Sequence, residues 1–162
     1  MIVNRTPALQ DHIDIAAPIS RVWHMVSDLR RMADWSPQVD ACEFDEGHQP
    51  GIVGARFTNH NRHLDVRWRT HGEIVRWVAE REIAFRIDEN YVVWVLRLEG
   101  LRPGLTRLTE ARETPEGISD FALGRVEAYL GGQETFAAAM RDNVQATLQA
   151  IKAAAEAEAP ER

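Results

Sequence analysis

The feature that narrows this chain most lies near its C-terminal end. From Gln133 to Ala157 there is neither glycine nor proline, and Phe136, Met140, Val144, Leu148, Ile151 and Ala155 recur every three or four residues. That spacing puts all six on one side of a helix and leaves Glu134, Arg141, Gln145, Gln149, Lys152 and Glu156 for the wet side. A long helix with one apolar stripe has to bury it against a second layer.

The preceding residues supply that layer. Breakers recur at Gly47 to Gly54, Arg62 to Asp65, Ala79-Glu80, Asn90 and Arg102-Pro103-Gly104. Between them lie segments of strand length: Val39–Asp45, Ala55–Asn61, Val66–Val78, Glu82–Asp88, Val92–Leu101 and Leu105–Glu113. Their short connections predict antiparallel neighbours in a meander. Gln10 to Ile15 alternates as a further strand. Ala16-Ala17-Pro18 ends it, with Pro18 read as the first position of a helix carrying Ile19, Val22, Trp23 and Val26. A second short helix is read over Asp28 to Trp35 and stops at Ser36-Pro37. Helical character returns after Pro115-Glu116-Gly117, with a break at Gly131-Gly132. The summed order is β-α-α-β-β-β-β-β-β-α. A chain of 162 residues suits one domain, expected over 10–157, with an N-terminal extension at 1–9 and a tail at 158–162.

A curved antiparallel sheet gripping one helix encloses space that the helix does not fill, and a cavity is the natural site of such a fold. Other chemistries find little support. The formal charge of −6 argues against nucleic acid, which demands a basic face. No secretory pattern opens the chain and no apolar run has the length of a membrane span, so a cytoplasmic location is expected. Cys42 is the single cysteine, which excludes an internal disulfide and a thiolate zinc site. Lys152 is the sole lysine against 18 arginines, read as GC-rich coding bias. His60, His63, Asp65 and His71 offer metal donors, but His60 and His63 have opposite strand parity beside a turn and are read as exposed turn histidines. Neither a nucleophile elbow nor a phosphate loop is present, since Gly51-Ile-Val-Gly54 lacks the lysine. No metal and no cofactor are expected.

Ile13-Asp-Ile-Ala-Ala-Pro-Ile-Ser-Arg-Val-Trp23, then Val26-Ser-Asp28 and Trp35-Ser-Pro37, resembles the opening of the START-like (SRPBCC) superfamily, the polyketide cyclase/dehydrase-like proteins. Gly54-Ala-Arg-Phe57, Trp68 with Thr70, Ala84-Phe85-Arg86, Thr106-Arg-Leu-Thr-Glu110 and Leu148-Gln-Ala-Ile-Lys152 extend the likeness from about Gln10 to Glu156. The resemblance implies an α+β helix-grip: seven antiparallel strands curved round a long C-terminal helix, with two short helices. It also implies an apolar ligand between sheet and helix. Described functions of the superfamily include lipid and sterol carriage, quinone binding, hormone sensing and polyketide aromatase/cyclase steps, and fold does not choose among them.

Strand parity nominates the lining. Val92, Trp94, Leu96 and Leu98 form the apolar set of their strand, and Val66, Trp68, Thr70, Gly72 and Ile74 the set of theirs. Leu108 drags Glu110 and Arg112 to its face, and Phe57 brings Asn59 and Asn61. The ligand-binding candidates are therefore Trp35, Phe57, Asn59, Asn61, Trp68, Thr70, Phe85, Trp94, Leu108 and Met140. Core packing is the bland alternative for each aromatic, and Trp35 beside its Ser-Pro turn suits a cavity cap or a staple under a loop equally. Glu110 and Arg112, two apart on one strand face, are the candidate catalytic pair: a general base for enolisation and an oxyanion partner. A satisfied ion pair is the competing account.

Two functions lead. The first is enclosure of a small hydrophobic or aromatic molecule (lipid, polyketide or quinone-like) without chemical change. The second is a polyketide aromatase/cyclase or dehydratase, assisting aldol closure and water loss. The aromatase/cyclase subgroup has an arginine four positions after the tryptophan matching Trp68; here that place is Gly72, which weighs against cyclase chemistry. A protein–protein module is a third class that nothing recommends, and the oligomeric state is not readable.

Overall fold

The computed structural model describes residues 9–158, so all of the expected extension except Leu9, and all of the expected tail except Glu158, lie outside the described residues. Seven strands form one antiparallel sheet: β1 (Leu9–Ile15), β2 (Val39–Phe44), β3 (Arg56–His63), β4 (Val66–Val78), β5 (Glu82–Ile87), β6 (Val93–Arg102) and β7 (Leu105–Glu113). Their order across the sheet is β1-β7-β6-β5-β4-β3-β2. From β2 to β7 this is the expected meander, and β1 closes the far edge against β7, Ile13 opposite Leu108.

Between β1 and β2 come α1 (Ile19–Val26), a 3₁₀ turn (Leu29–Arg31) and α2 (Met32–Trp35). Pro18 is the cap residue of α1 rather than its first helical position, because its ψ of 149° is extended. The Asp28 carboxylate accepts from the Arg30 amide and starts the 3₁₀ turn. After β7 the chain forms α3 (Asp120–Tyr129), then α4 (Gln133–Ala157). Helix α3 is an element the summed order left out. It begins where the Ser119 hydroxyl accepts from the Ala122 amide. It ends at Gly131 and Gly132, both at positive φ, a conformation that glycine alone adopts cheaply.

The stripe of α4 divides in two. Val144, Leu148, Ile151 and Ala155 are fully buried with Ile15, Val22, Met25 and Leu108, and this C-terminal half forms the core with β1 and α1. Phe136 and Met140 are only half-buried, because the sheet has curved away beneath them. The other sheet face carries a small cluster, Ala84, Val93, Val95 and Ala111. Beside it Arg76 and Arg97 each bridge Glu82 and Glu113 at 3.2–3.9 Å.

Two departures from regular pairing shape the site. An ideal Cβ on Gly72 would fall 2.4 Å from the Phe57 ring, so the missing side chain gives that ring its seat. Secondly, β4 has 13 residues and β5 only six, and their pairing starts at Gly72–Ile87. Residues Val66 to His71 therefore pair with β3 alone.

Candidate functional site

A cavity of about 810 Å³ lies under the N-terminal half of α4. Its floor comes from inward positions of four strands: Asn59 and Asn61 on β3, Trp68 and Thr70 on β4, Phe85 on β5 and Trp94 on β6. Glu110 on β7 completes it, and Phe136, Met140 and Asn143 of α4 form the roof. Side walls come from Met32, Ser36 and Gln38, and from α3 through Phe121, Arg125 and Tyr129. A smaller cleft of about 430 Å³ between β1 and α4 has mostly polar walls and no aromatic residue.

The polar lining is organised by hydrogen bonds. Asn61 Nδ2 donates to Thr70 Oγ1 at 2.9 Å, and Ser36 Oγ lies 3.1 Å from Asn143 Oδ1. Gln38 Nε2 meets His63 Nδ1 at 3.3 Å. Glu110 differs from these. It is 6% exposed, its Oε2 has no hydrogen-bond partner, and no cation stands within ion-pairing distance of its carboxylate among the described residues. Burial without compensation disfavours the charged form and pushes this carboxyl up to about 8. At pH 7 such a group is roughly 90% protonated, a neutral acid with a proton to donate.

Arg112 shares the face of Glu110, as parity required, but forms no ion pair with it. Its Nη1 contacts Met140 Sδ at 3.4 Å and its Nε is unpartnered. Burial, with the Arg141 charge added, lowers its pKa from the usual arginine range. Arg112 does not line the cavity, whereas Met140, which it contacts, does. The satisfied-pair account therefore does not describe this site: the two groups are buried and separate.

Of the ligand-binding candidates, the structure brings Asn59, Asn61, Trp68, Thr70, Phe85, Trp94 and Met140 together round Glu110. Trp35, Phe57 and Leu108 do not line the cavity. Leu108 is wholly enclosed in the core, and Phe57 lies in the seat left by Gly72 with its ring 5.5 Å from Phe85. Trp35 is pinned between the core and the Arg31 guanidinium, 4.9 Å above its ring. The space at Gly72 is thus occupied by a ring, and a longer side chain there would have to displace it. His60 and His63 both lie within β3, the turn being Leu64-Asp65. The histidines do not converge: His60 faces Glu43, His63 faces Gln38 and His71 faces Glu89.

Sequence reasoning missed the α3 wall. Arg125 lies between Phe121 and Tyr129, 5.5 and 5.0 Å from their ring centres, at steps of four along the helix. That Phe-x₃-Arg-x₃-Tyr spacing was the available signal.

A seven-stranded sheet wrapped round a long helix, with an internal cavity, defines a helix-grip protein. The chain belongs to the polyketide cyclase/dehydrase and lipid transport family, whose profile matches residues 6–156. A Streptomyces cyaneus protein named provisionally as a polyketide cyclase is 30% identical over 120 residues, covering 70% of this chain and 72% of that one. Among solved structures, a polyketide-cyclase-like protein of Corynebacterium glutamicum is 32% identical with a TM-score of 0.55, over 90% of this chain and 88% of that one. The Zhui aromatase/cyclase of Streptomyces sp. R1128 shares the fold at 23% identity, TM-score 0.65, over 93% of each chain. No helix among the described residues is long and apolar enough to cross a membrane.

Proposed function

We propose that the cavity encloses a small oxygenated aromatic or polyketide-like molecule, with the protonated Glu110 carboxyl donating a hydrogen bond to a ligand carbonyl or hydroxyl. The observation that carries this is the unpartnered, buried Glu110 facing the cavity. A buried polar group without a partner costs about 1–3 kcal/mol, and a ligand oxygen would recover part of that. A plain hydrocarbon chain would leave the cost in place. Trp68, Trp94 and Phe85 offer flat apolar contact, while Asn59, Asn61, Thr70 and Asn143 offer further hydrogen bonds.

The raised pKa of the same carboxyl favours a second reading, the aldol cyclase/dehydratase. A group titrating near 8 gives and takes protons readily at neutral pH. As carboxylate, Glu110 would take the proton from a carbon between two carbonyls. The resulting enolate carbon bonds to a distant ketone carbon, whose oxygen receives the proton, and loss of that hydroxyl with a neighbouring hydrogen releases water. Arg112 would stabilise the oxyanion only after moving into the cavity. The departure at Gly72 makes this the runner-up.

Native mass spectrometry of freshly purified protein, then titration with a dihydroxyanthraquinone against anthracene, tests binding. Quenching of tryptophan fluorescence by the quinone, weakened in Glu110→Leu and retained in Glu110→Gln, whose amide still donates, is the expected result. Equal or stronger binding of anthracene would overturn the ligand class. Incubation with a poly-β-keto thioester separates the readings: loss of one water, abolished in Glu110→Gln, establishes the enzyme, and unchanged mass with retained binding establishes the carrier.

A further inference from the structure

Many arginines on this surface are matched with acids, and three unmatched ones gather at the cavity. Arg56, Arg62, Arg76, Arg86, Arg97 and Arg107 each have a carboxylate oxygen within 4.0 Å. Among the described residues Arg67, Arg69 and Arg125 have none, and all three line the cavity, whereas the other exposed arginines without an ion pair, Arg81, Arg102 and Arg141, do not. In a chain of net charge −6, such a local surplus of cations is against the average.

The backbone adds to it. Ile74 exchanges hydrogen bonds with Gly54 and Ala55, on the β3 side, so the even positions of β4 bond to β3 and the odd ones face β5. His71, an odd position, gives its carbonyl to the Asp88 amide. Arg67 and Arg69 lie beyond the end of β5, so their amides face the opening with no strand to accept from them. Through this gap the cavity reaches two residues that parity alone would assign to the outer face. Glu89 is the one carboxylate of the lining besides Glu110, and its oxygens already accept from the His71 amide at 2.6 and 2.9 Å. The mouth therefore offers three guanidinium groups and two free amides to a ligand, all of them donors.

We propose that the ligand is an anionic amphiphile: its oxygenated body fills the cavity as inferred above, and a carboxylate or phosphate at one end sits at the mouth among Arg67, Arg69 and Arg125. The proposal rests on the enclosed-ligand reading and deepens it by assigning the ligand a charge and a direction. Arg125 is held in place by the Phe121 and Tyr129 rings, and planar guanidinium groups suit either anion.

The test uses three probes with one ring system: rhein, which carries a carboxylate; aloe-emodin, which has a neutral hydroxymethyl group in its place; and the monophosphate ester of aloe-emodin. Titrations run at about pH 6 with tryptophan fluorescence as the readout. Rhein should bind about tenfold tighter than aloe-emodin, the size expected for several half-exposed charge contacts. In Arg67→Gln/Arg69→Gln that ratio should fall toward one, and Arg125→Gln should reduce it independently. Arg102→Gln, an unpaired exposed arginine on the β6–β7 hairpin away from the cavity, should leave the ratio unchanged. Rhein tighter than the phosphate ester identifies a carboxylic acid ligand; the reverse identifies a phosphorylated one. Equal binding of all three to the unsubstituted protein, or a preference surviving the double substitution, overturns the anionic mouth and leaves the cavity reading intact. Binding of none overturns both.

Discussion

Glu110 should make the stability of this protein depend on pH in a way that one substitution removes. In the unfolded chain its carboxyl titrates near the ordinary 4.5, and in the fold burial moves it up to about 8. Between these values the native state holds a proton that the unfolded state releases. Stability is therefore greatest below 4.5 and is lost as pH rises through about 8. At 1.36 kcal/mol per unit the full loss is about 5 kcal/mol, of which roughly 3.5 kcal/mol falls between about pH 5 and pH 8. A domain with 5–15 kcal/mol in total would register this clearly. Glu110→Gln keeps the shape and polarity and removes the titration. Urea unfolding of both proteins at intervals from about pH 5 to pH 8, followed by tryptophan fluorescence, gives the two curves. Their difference is the diagnostic, because every other titrating group cancels. The unsubstituted protein should lose roughly 3.5 kcal/mol relative to the variant across that range. A difference that stays flat within about 1 kcal/mol would refute the reasoning, by showing that water or a moving cation stabilises the carboxylate.

Gly72→Ala should cost about 1–3 kcal/mol in urea unfolding by pressing a methyl group into the Phe57 ring, and Phe57→Leu on that background should return part of it. Truncations along α4 should separate two functions of one stripe: Leu148→Ala lowers stability by about 2–5 kcal/mol, whereas Phe136→Ala changes quinone affinity far more than unfolding. Thr106→Val should lose about 1–2 kcal/mol, since the buried Thr106 hydroxyl donates to the Ala17 carbonyl at 2.9 Å and ties β7 to the β1–α1 turn.

The sheet and α4 were legible because their signals are periodic and each repeat is enforced by burial. Val95 and Leu96 face opposite ways, and both faces of β6 are packed, so the register has no freedom. The inward placement of Glu110 followed from the same parity. Its isolation did not, because parity fixes a face and not a rotamer, and Arg112 turned toward Met140. Helix α3 was obscured for another reason: Phe121, Arg125 and Tyr129 face the cavity mouth and solvent, so no single buried stripe marks it. Phe57 and Trp35 misled in the opposite sense, since an aromatic on the correct face still fills core when a glycine or a neighbouring guanidinium makes room for it. The opening beside Arg67 and Arg69 depended on the unequal lengths of β4 and β5, a property of two strands together.

The division of α4 bears on how such a protein changes over time. Residues that hold the fold together occupy its C-terminal half, and residues that meet the cavity occupy its N-terminal half, the two sets meeting at Asn143 and Val144. Substitutions at Phe136, about two turns from Val144, can therefore accumulate without endangering the native state, since sites so separated contribute almost independently. Ligand preference becomes a trait that drifts or is selected at little structural risk. Descendants of one such chain could diverge in what they hold while remaining superimposable.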